Sequence, residues 1–228
     1  MKTIGILTYF NNHLKTEQVV LNLLNRNDIL KIILFALPFK ERKKRETFFD
    51  HRPNQLEGIH VEELSRQNDK IEILKWDGIT PPSDCDLYLI TGAGILPESS
   101  ILRNKIVNIH PGIIPTSRGL DAFKWAILNK YDLGITMHYI DKEVDAGKVL
   151  KIFRTPIYKN DNLKTLARRH YELEIFISSN FMDYLNNQES GEFPVMDANM
   201  RMPLSFEKKL EKSFKDYKET IFQQRSIR

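Results

Sequence analysis

Val107-Asn108-Ile109-His110-Pro111-Gly112-Ile113-Ile114-Pro115 opens as an apolar run and closes in a turn punctuated by proline and glycine. It reads as a strand that delivers Asn108 and His110 to its carboxyl end. Successive strand residues alternate between faces, so these two polar side chains, two positions apart, share one face. In open α/β sheets ligands bind outside the carboxyl ends of the strands, which makes this a place where a site is expected. A strand-end histidine alone is more often a hydrogen-bonded structural residue than a catalyst. Its surroundings carry further polar groups: Ser117-Arg118-Gly119 in the same loop, then Gly134-Ile135-Thr136-Met137-His138, then Val144-Asp145-Ala146-Gly147.

Working outward, short apolar runs at Thr3–Thr8, Lys31–Ala36, Asp86–Thr91 and Lys105–Ile109 alternate with helix-like segments such as Glu17–Leu24. That alternation predicts an α/β fold with a predominantly parallel sheet flanked by helices. Between Pro38 and Asp84 the pattern is helix plus irregular connection, with a short strand near Lys70–Leu74. Asp121–Lys130 reads as a helix, Gly134–Ile140 and Lys148–Phe153 as strands around a loop, and Asn162–Asn186 as one long helix with Asp161 as its cap. The polar stretch Asn186–Gly191 divides a domain at 1–187 from a short extension at 188–228. In that extension Phe206, Leu210, Phe214, Tyr217 and Ile221 recur at helical spacing. This apolar face serves either packing on the main domain or a homodimer contact.

The 228 residues, 41% hydrophobic and 28% charged, suit an ordinary globular chain with a real core. A net charge of +4 fits phosphorylated or nucleotide-linked ligands and is too mild to argue for nucleic acid. Cys85 is the only cysteine, so no internal disulfide or cysteine metal cluster can form, which fits a reducing compartment. The apolar run Ile4–Leu7 is too short for a signal-peptide core or a membrane span, so the expectation is a cytoplasmic protein. Nothing in the sequence points to a metal site.

The three elements NxHPxxxP, GxTxH and DxG, in this order, resemble the folate-dependent formyltransferases, most closely the sugar N-formyltransferases, over about Asp86–Ile157. The resemblance implies a Rossmann-like formyltransferase fold and a catalytic trio of Asn108, His110 and Asp145. Attack of a neutral amine on the formyl carbon of 10-formyltetrahydrofolate develops a negative oxygen and a positive nitrogen. The site must stabilise the first and move a proton from the second. Asn108 is expected to offer its amide to the oxyanion, His110 to exchange the proton, and Asp145 to orient His110. His138 is expected to support them by hydrogen bonding, while His13, His60 and His170 read as surface or structural residues.

The same resemblance places the folate between the loop Gly92, Gly94, Ile95, Leu96 and the loop Asp141, Lys142, Glu143, Val144. Glycines there let backbone approach a flat ring. The turn lacks the third glycine of a dinucleotide fingerprint and follows the wrong strand for one. For the acceptor, Thr8–Asn12 is not the glycine-rich phosphate turn of a glycinamide ribonucleotide enzyme. The tail is too short and too helical for the tRNA-binding barrel of a methionyl-tRNA enzyme. The resemblance then favours a nucleotide-linked amino sugar, such as a dTDP-sugar of bacterial surface polysaccharide (lipopolysaccharide O-antigen) synthesis, with glycinamide ribonucleotide or another small amine as the alternative acceptor. Tyr9, Phe10, Arg52, Ser117, Arg118 and Gly119 are its candidate contacts. The basic run 40–45 is either a diphosphate holder or a solvated face. The competing class, a binding module that has lost its chemistry, is opposed by the presence of all three central polar residues.

Overall fold

The computed structural model describes residues 1–41, 45–79, 85–97, 106–141, 145, 147–186 and 196–226. Seven strands form one sheet: β1 (Lys2–Tyr9), β2 (Ile29–Leu37), β3 (Ile71–Lys75), β4 (Leu87–Ile90), β5 (Ile106–His110), β6 (Gly134–Tyr139) and β7 (Val149–Arg154). Their order is β3-β2-β1-β4-β5-β6-β7. The first five are parallel to their neighbours, whereas β6 is antiparallel to both β5 and β7. The expected mostly parallel sheet is therefore present, with an antiparallel edge beyond the site strand.

Helix α1 (Leu14–Leu24) starts where His13 accepts from the Thr16 N–H, and α2 (Val61–Arg66) where His60 accepts from the Glu62 N–H. Two of the three histidines expected to be surface or structural are thus helix caps. Helix α3 (Ala122–Asn129) follows the site loop, and α4 (Leu163–Ser179) is held at its start by a capping box between Asn162 and Thr165. Two expectations are corrected here. Asn162 caps α4; the Asp161 carboxylate instead accepts the Tyr158 N–H and pairs with Arg169 at 2.7 Å. The helix also ends at Ser179, and a single 3₁₀ turn, Phe181–Tyr184, follows it.

On one face of the sheet, Val19, Val20 and Leu23 of α1, Leu64 of α2 and Tyr171, Ile175 and Ile177 of α4 close over Ile4, Ile6, Ile32 and Leu34. On the other, Leu7, Phe35, Tyr88 and Ile106 meet Trp76 and Leu96. A second core joins α3 and α4 to the tail, where α5 (Leu204–Glu207) leads into α6 (Leu210–Ser226). Leu210, Phe214, Tyr217 and Ile221 are buried there against Phe123, Ile127 and Leu166, so the apolar stripe packs on its own chain. Phe206, expected on the same stripe, sits on the separate short helix and is 39% exposed. Glu207 enters the same region and pairs with buried Lys124 at 2.8 Å.

Leu210 is fully buried. Leu210→Ala should therefore lower the unfolding free energy by about 2–5 kcal/mol, read from urea denaturation followed by circular dichroism. A change below about 0.5 kcal/mol, typical of a surface position, would mean that the tail contributes no core.

Candidate active site

Antiparallel pairing sets Asn108 directly opposite His138 and His110 directly opposite Thr136. Two motifs 30 residues apart in sequence become one polar face because both have the period-two spacing of a strand. His138 is fully buried, with Nδ1 at 3.0 Å from the Tyr139 carbonyl. Donation there leaves Nε2 as an acceptor, and Asn108 Nδ2 lies 3.2 Å from it. The second amide proton of Asn108 goes to Asp145 Oδ1 at 3.3 Å. The amide orientation is thereby set by two independent acceptors. Donation to a substrate oxygen then requires one of them to let go, a condition the sequence does not reveal.

Asp145 takes a left-handed backbone conformation, φ 49°, and its carboxylate gathers the site. Oδ2 lies 3.2 Å from His110 Nδ1 and accepts the Gly119 N–H at 3.0 Å. Oδ1 lies 3.7 Å from His138 Nε2. Burial pushes the Asp145 carboxyl up, yet the His110 and His138 rings when protonated, together with the Gly119 N–H, outweigh it and hold the group at about 2. The proposed trio is therefore within hydrogen-bond reach.

His110 is 4% exposed, and its Nε2 donates to the Ser117 carbonyl at 2.7 Å. Burial pushes the ring below its ordinary value, while Asp145 and the Ser117 carbonyl pull the other way. The neutral ring keeps its proton on Nε2, so Nδ1 is the basic atom and faces a carboxylate. A proton received at Nδ1 is stabilised where it lands.

The loop after β5 is tightly held. Thr136 Oγ1 accepts the Ile114 N–H at 3.1 Å and donates to the Gly112 carbonyl at 2.7 Å. A Cβ on Gly112 would stand 2.3 Å from the Ser117 carbonyl oxygen and 2.7 Å from His110 Nε2, so only glycine fits. From below, His170 Nε2 donates to the Pro111 carbonyl at 3.2 Å and Nδ1 accepts from Thr155 Oγ1 at 2.7 Å. This buried ring sits at about 4 chiefly because of burial.

Beneath that loop lies an ion cluster that the sequence reading missed. Lys15 of α1 and Arg52 both reach Glu174 of α4, at 2.7 Å and 2.9 Å. Burial alone pushes Glu174 up, but Arg52 and Lys15 bring it down to about 2. The available signal is that His170 and Glu174 occupy helical positions in step with Leu163, Leu166 and Ala167, where an apolar residue is expected.

The other candidate residues divide. Gly119 touches Asp145 directly, and Ser117 binds His110 through its carbonyl while its buried Oγ has no protein partner. Arg118 Nη1 donates to the Met196 carbonyl. Tyr9 ends β1 with its ring against His13 and Phe39. Phe10 is corrected to a packing role: His60 meets its ring at 5.1 Å and the Lys75 ammonium at 4.6 Å. In the loop expected beside the folate, Gly94 is open on its Cβ side and Ile95 is 87% exposed, which leaves backbone and an apolar side chain accessible. Gly92 is crowded by His13 and Tyr9, and Leu96 is buried in the core, so neither offers a side-chain face. Asp141 is exposed; Lys142, Glu143 and Val144 lie outside the described residues, as do 42–44 of the basic run. Arg45 of that run donates to the Met202 carbonyl and lies 3.9 Å from Glu207.

Residues 90–179 match the formyl transferase family. The chain is 37% identical over 95 residues to a phosphoribosylglycinamide formyltransferase of Bacillus subtilis, covering 40% of this chain and 49% of that one. It is 32% identical over 84 residues to a methionyl-tRNA formyltransferase of Bacteroides thetaiotaomicron, covering 36% and 26%. The chain thus spans half or less of the length of these relatives. A sugar N-formyltransferase from Shewanella shares the fold, with a TM-score of 0.58 at 18% identity over 87% of this chain and 76% of that one.

The histidine shifts give a pH signature. His13 and His170 titrate at about 4 in the fold and near 6.5 when unfolded. Between those values the unfolded chain binds protons that the folded chain refuses, so stability is full above about 6.5 and falls as the pH drops toward 4. The urea midpoint should decrease from pH 7 to pH 5, and His170→Gln should flatten that slope. An unchanged slope in the variant would mean that His170 titrates normally in the fold.

Proposed function

We propose that this chain is a 10-formyltetrahydrofolate-dependent N-formyltransferase acting on the amine of a nucleotide-linked amino-deoxysugar in the cytosol. The observation that carries the reaction is the mutual reach of Asn108, His110 and Asp145 at the carboxyl end of β5, in a chain with a formyl transferase domain. The formyl donor supplies an electrophilic carbon. The open backbone at Gly94 and the exposed Ile95 suit its flat ring. Asn108 Nδ2 stabilises the developing negative oxygen once it releases Asp145 or His138. His110 Nδ1 receives the amine proton, Asp145 holds the resulting cation, and the proton passes to the departing N10 as the tetrahedral intermediate collapses, breaking the bond between the formyl carbon and N10 and releasing tetrahydrofolate.

For the acceptor, support comes from a cleft of about 440 Å³ lined by His51, Arg52, Lys164, Arg168 and Tyr171, among others. That volume falls within the usual range for small-molecule sites. Arg52 gives Nη2 to Glu174, while its buried Nε has no partner among the described residues. Lys15 and Arg52 are two cations around one carboxylate, an excess that favours an anionic ligand group. The cleft is linked to the site loop through rings: His51 stacks on Phe123 at 5.7 Å, Phe123 tilts on His170 at 5.3 Å, and His170 holds Pro111. An acceptor with a diphosphate remote from its amine matches this arrangement.

The test is incubation with 10-formyltetrahydrofolate and a panel of nucleotide-linked amino sugars, glycinamide ribonucleotide and methionyl-tRNA, with mass spectrometry for a gain of one formyl group. Asn108→Ala and His110→Ala should each lower turnover about a hundredfold or more. Arg52→Met should raise the acceptor KM about tenfold and leave the folate KM unchanged. Turnover of a non-sugar acceptor alone would replace the substrate assignment; wild-type rates in Asn108→Ala and His110→Ala would remove the roles.

A further inference from the structure

The tail does more than complete a core. Residues 196–202 run as a strap across the loop that leads into α3. Trp125 Nε1 donates to the Met200 carbonyl at 2.8 Å, and the Met202 N–H donates to Asp121 Oδ2 at 2.9 Å. Just before these anchors Asn199 forms a parallel bridge with Gly119. Its backbone N–H and its Nδ2 both donate to the Arg118 carbonyl, at 2.9 Å and 3.0 Å, and its own carbonyl accepts the Leu120 N–H at 2.9 Å.

The Arg118 carbonyl and the Gly119 N–H belong to one planar peptide unit and point in opposite directions. Its oxygen is held by Asn199, and its N–H is the one that binds Asp145 Oδ2 at 3.0 Å. Fixing one end of a rigid plane aims the other. Two hydrogen bonds accepted at the oxygen also polarise the peptide and strengthen the N–H as a donor. Gly119 has a φ of 80°, and a Cβ there would meet the Asn199 carbonyl oxygen at 2.5 Å. Only glycine permits both the turn and the close approach of the strap.

We propose that Asn199 is a positioning residue that aims the Gly119 N–H at Asp145 and so sets the place of Asp145 beside His110. This rests on the catalytic reading above.

The test uses the full chain with three substitutions. Asn199→Ala removes only the Nδ2 bond, Asn199→Pro removes the backbone donor as well, and Trp125→Phe removes a strap bond that does not reach the Arg118–Gly119 peptide. Expected are falls in kcat of about threefold for Asn199→Ala and about thirtyfold for Asn199→Pro, with both KM values within about twofold of wild type. Trp125→Phe should keep wild-type kcat. Hydrogen exchange of the Gly119 amide, followed by NMR, should accelerate about tenfold in Asn199→Pro while amides of α1 exchange as before. Unchanged Gly119 exchange in folded Asn199→Pro overturns the proposal, as does an equal loss of kcat in Trp125→Phe. Should Asn199→Pro fail to fold, Asn199→Ala decides by the same two readouts. Asp145→Asn is assayed in parallel: wild-type turnover there removes the catalytic reading, and the exchange measurement still decides the role of Asn199.

Discussion

The site depends on the register between β5 and β6. Opposing Asn108 to His138 and His110 to Thr136 turns two short motifs into one constellation: an amide held by an imidazole, and a hydroxyl that clamps the turn after the other imidazole. A shift of one residue would send all of β6 to the opposite face, burying polar groups among Ile109, Ile135 and Met137. Asp145, which lies between β6 and β7 in sequence, is within reach of both Asn108 and His110.

Electrostatics beneath the site are arranged in layers. Asp145 is kept ionised by its neighbours, and a layer further in Glu174 is kept ionised by Lys15 and Arg52. Between them the buried rings of His13, His51 and His170 are driven toward neutrality by burial, with the nearby cations adding to it. A neutral His170 can donate at Nε2 and accept at Nδ1 at the same time, which is what ties Thr155 to the Pro111 carbonyl. A buried cluster of this kind adds little stability over an apolar core, but removing one partner strands a charge, so it specifies geometry more than it strengthens the fold.

The same loop is held from the opposite side by the tail. Strap, α5 and α6 carry Leu210 and Tyr217 into a common core with α3 and α4, and Glu207 to Lys124. The region after residue 188 is thus joined to the site by packing and by main-chain hydrogen bonds. Its composition reads as a polar linker and an amphipathic helix. Only the fold shows that the short stretch between them runs against Arg118–Leu120.

Period-two and helical periodicities are local, and they placed the strands and α3 within a residue or two and the start of α1 within three, because local backbone geometry and one-sided burial decide them. The trio Asn108, His110 and Asp145 entered through the resemblance that its motifs carry, and the fold brings the three side chains together. The orientation of the Asn108 amide, the ionised cluster at Glu174 and the displacement of Phe206 from the tail stripe were not legible. Each depends on which distant residue supplies the missing donor, acceptor or apolar surface. Likewise Asn162 rather than Asp161 caps α4 because Arg169 and the Tyr158 N–H claim the aspartate. The sequence by itself determined most of the elements and the polar residue types at the end of β5, through interactions that act within a few residues. Tertiary structure decided which polar group meets which, because a buried donor has to find an acceptor and strand register and helix packing determine which one is within 3 Å or so.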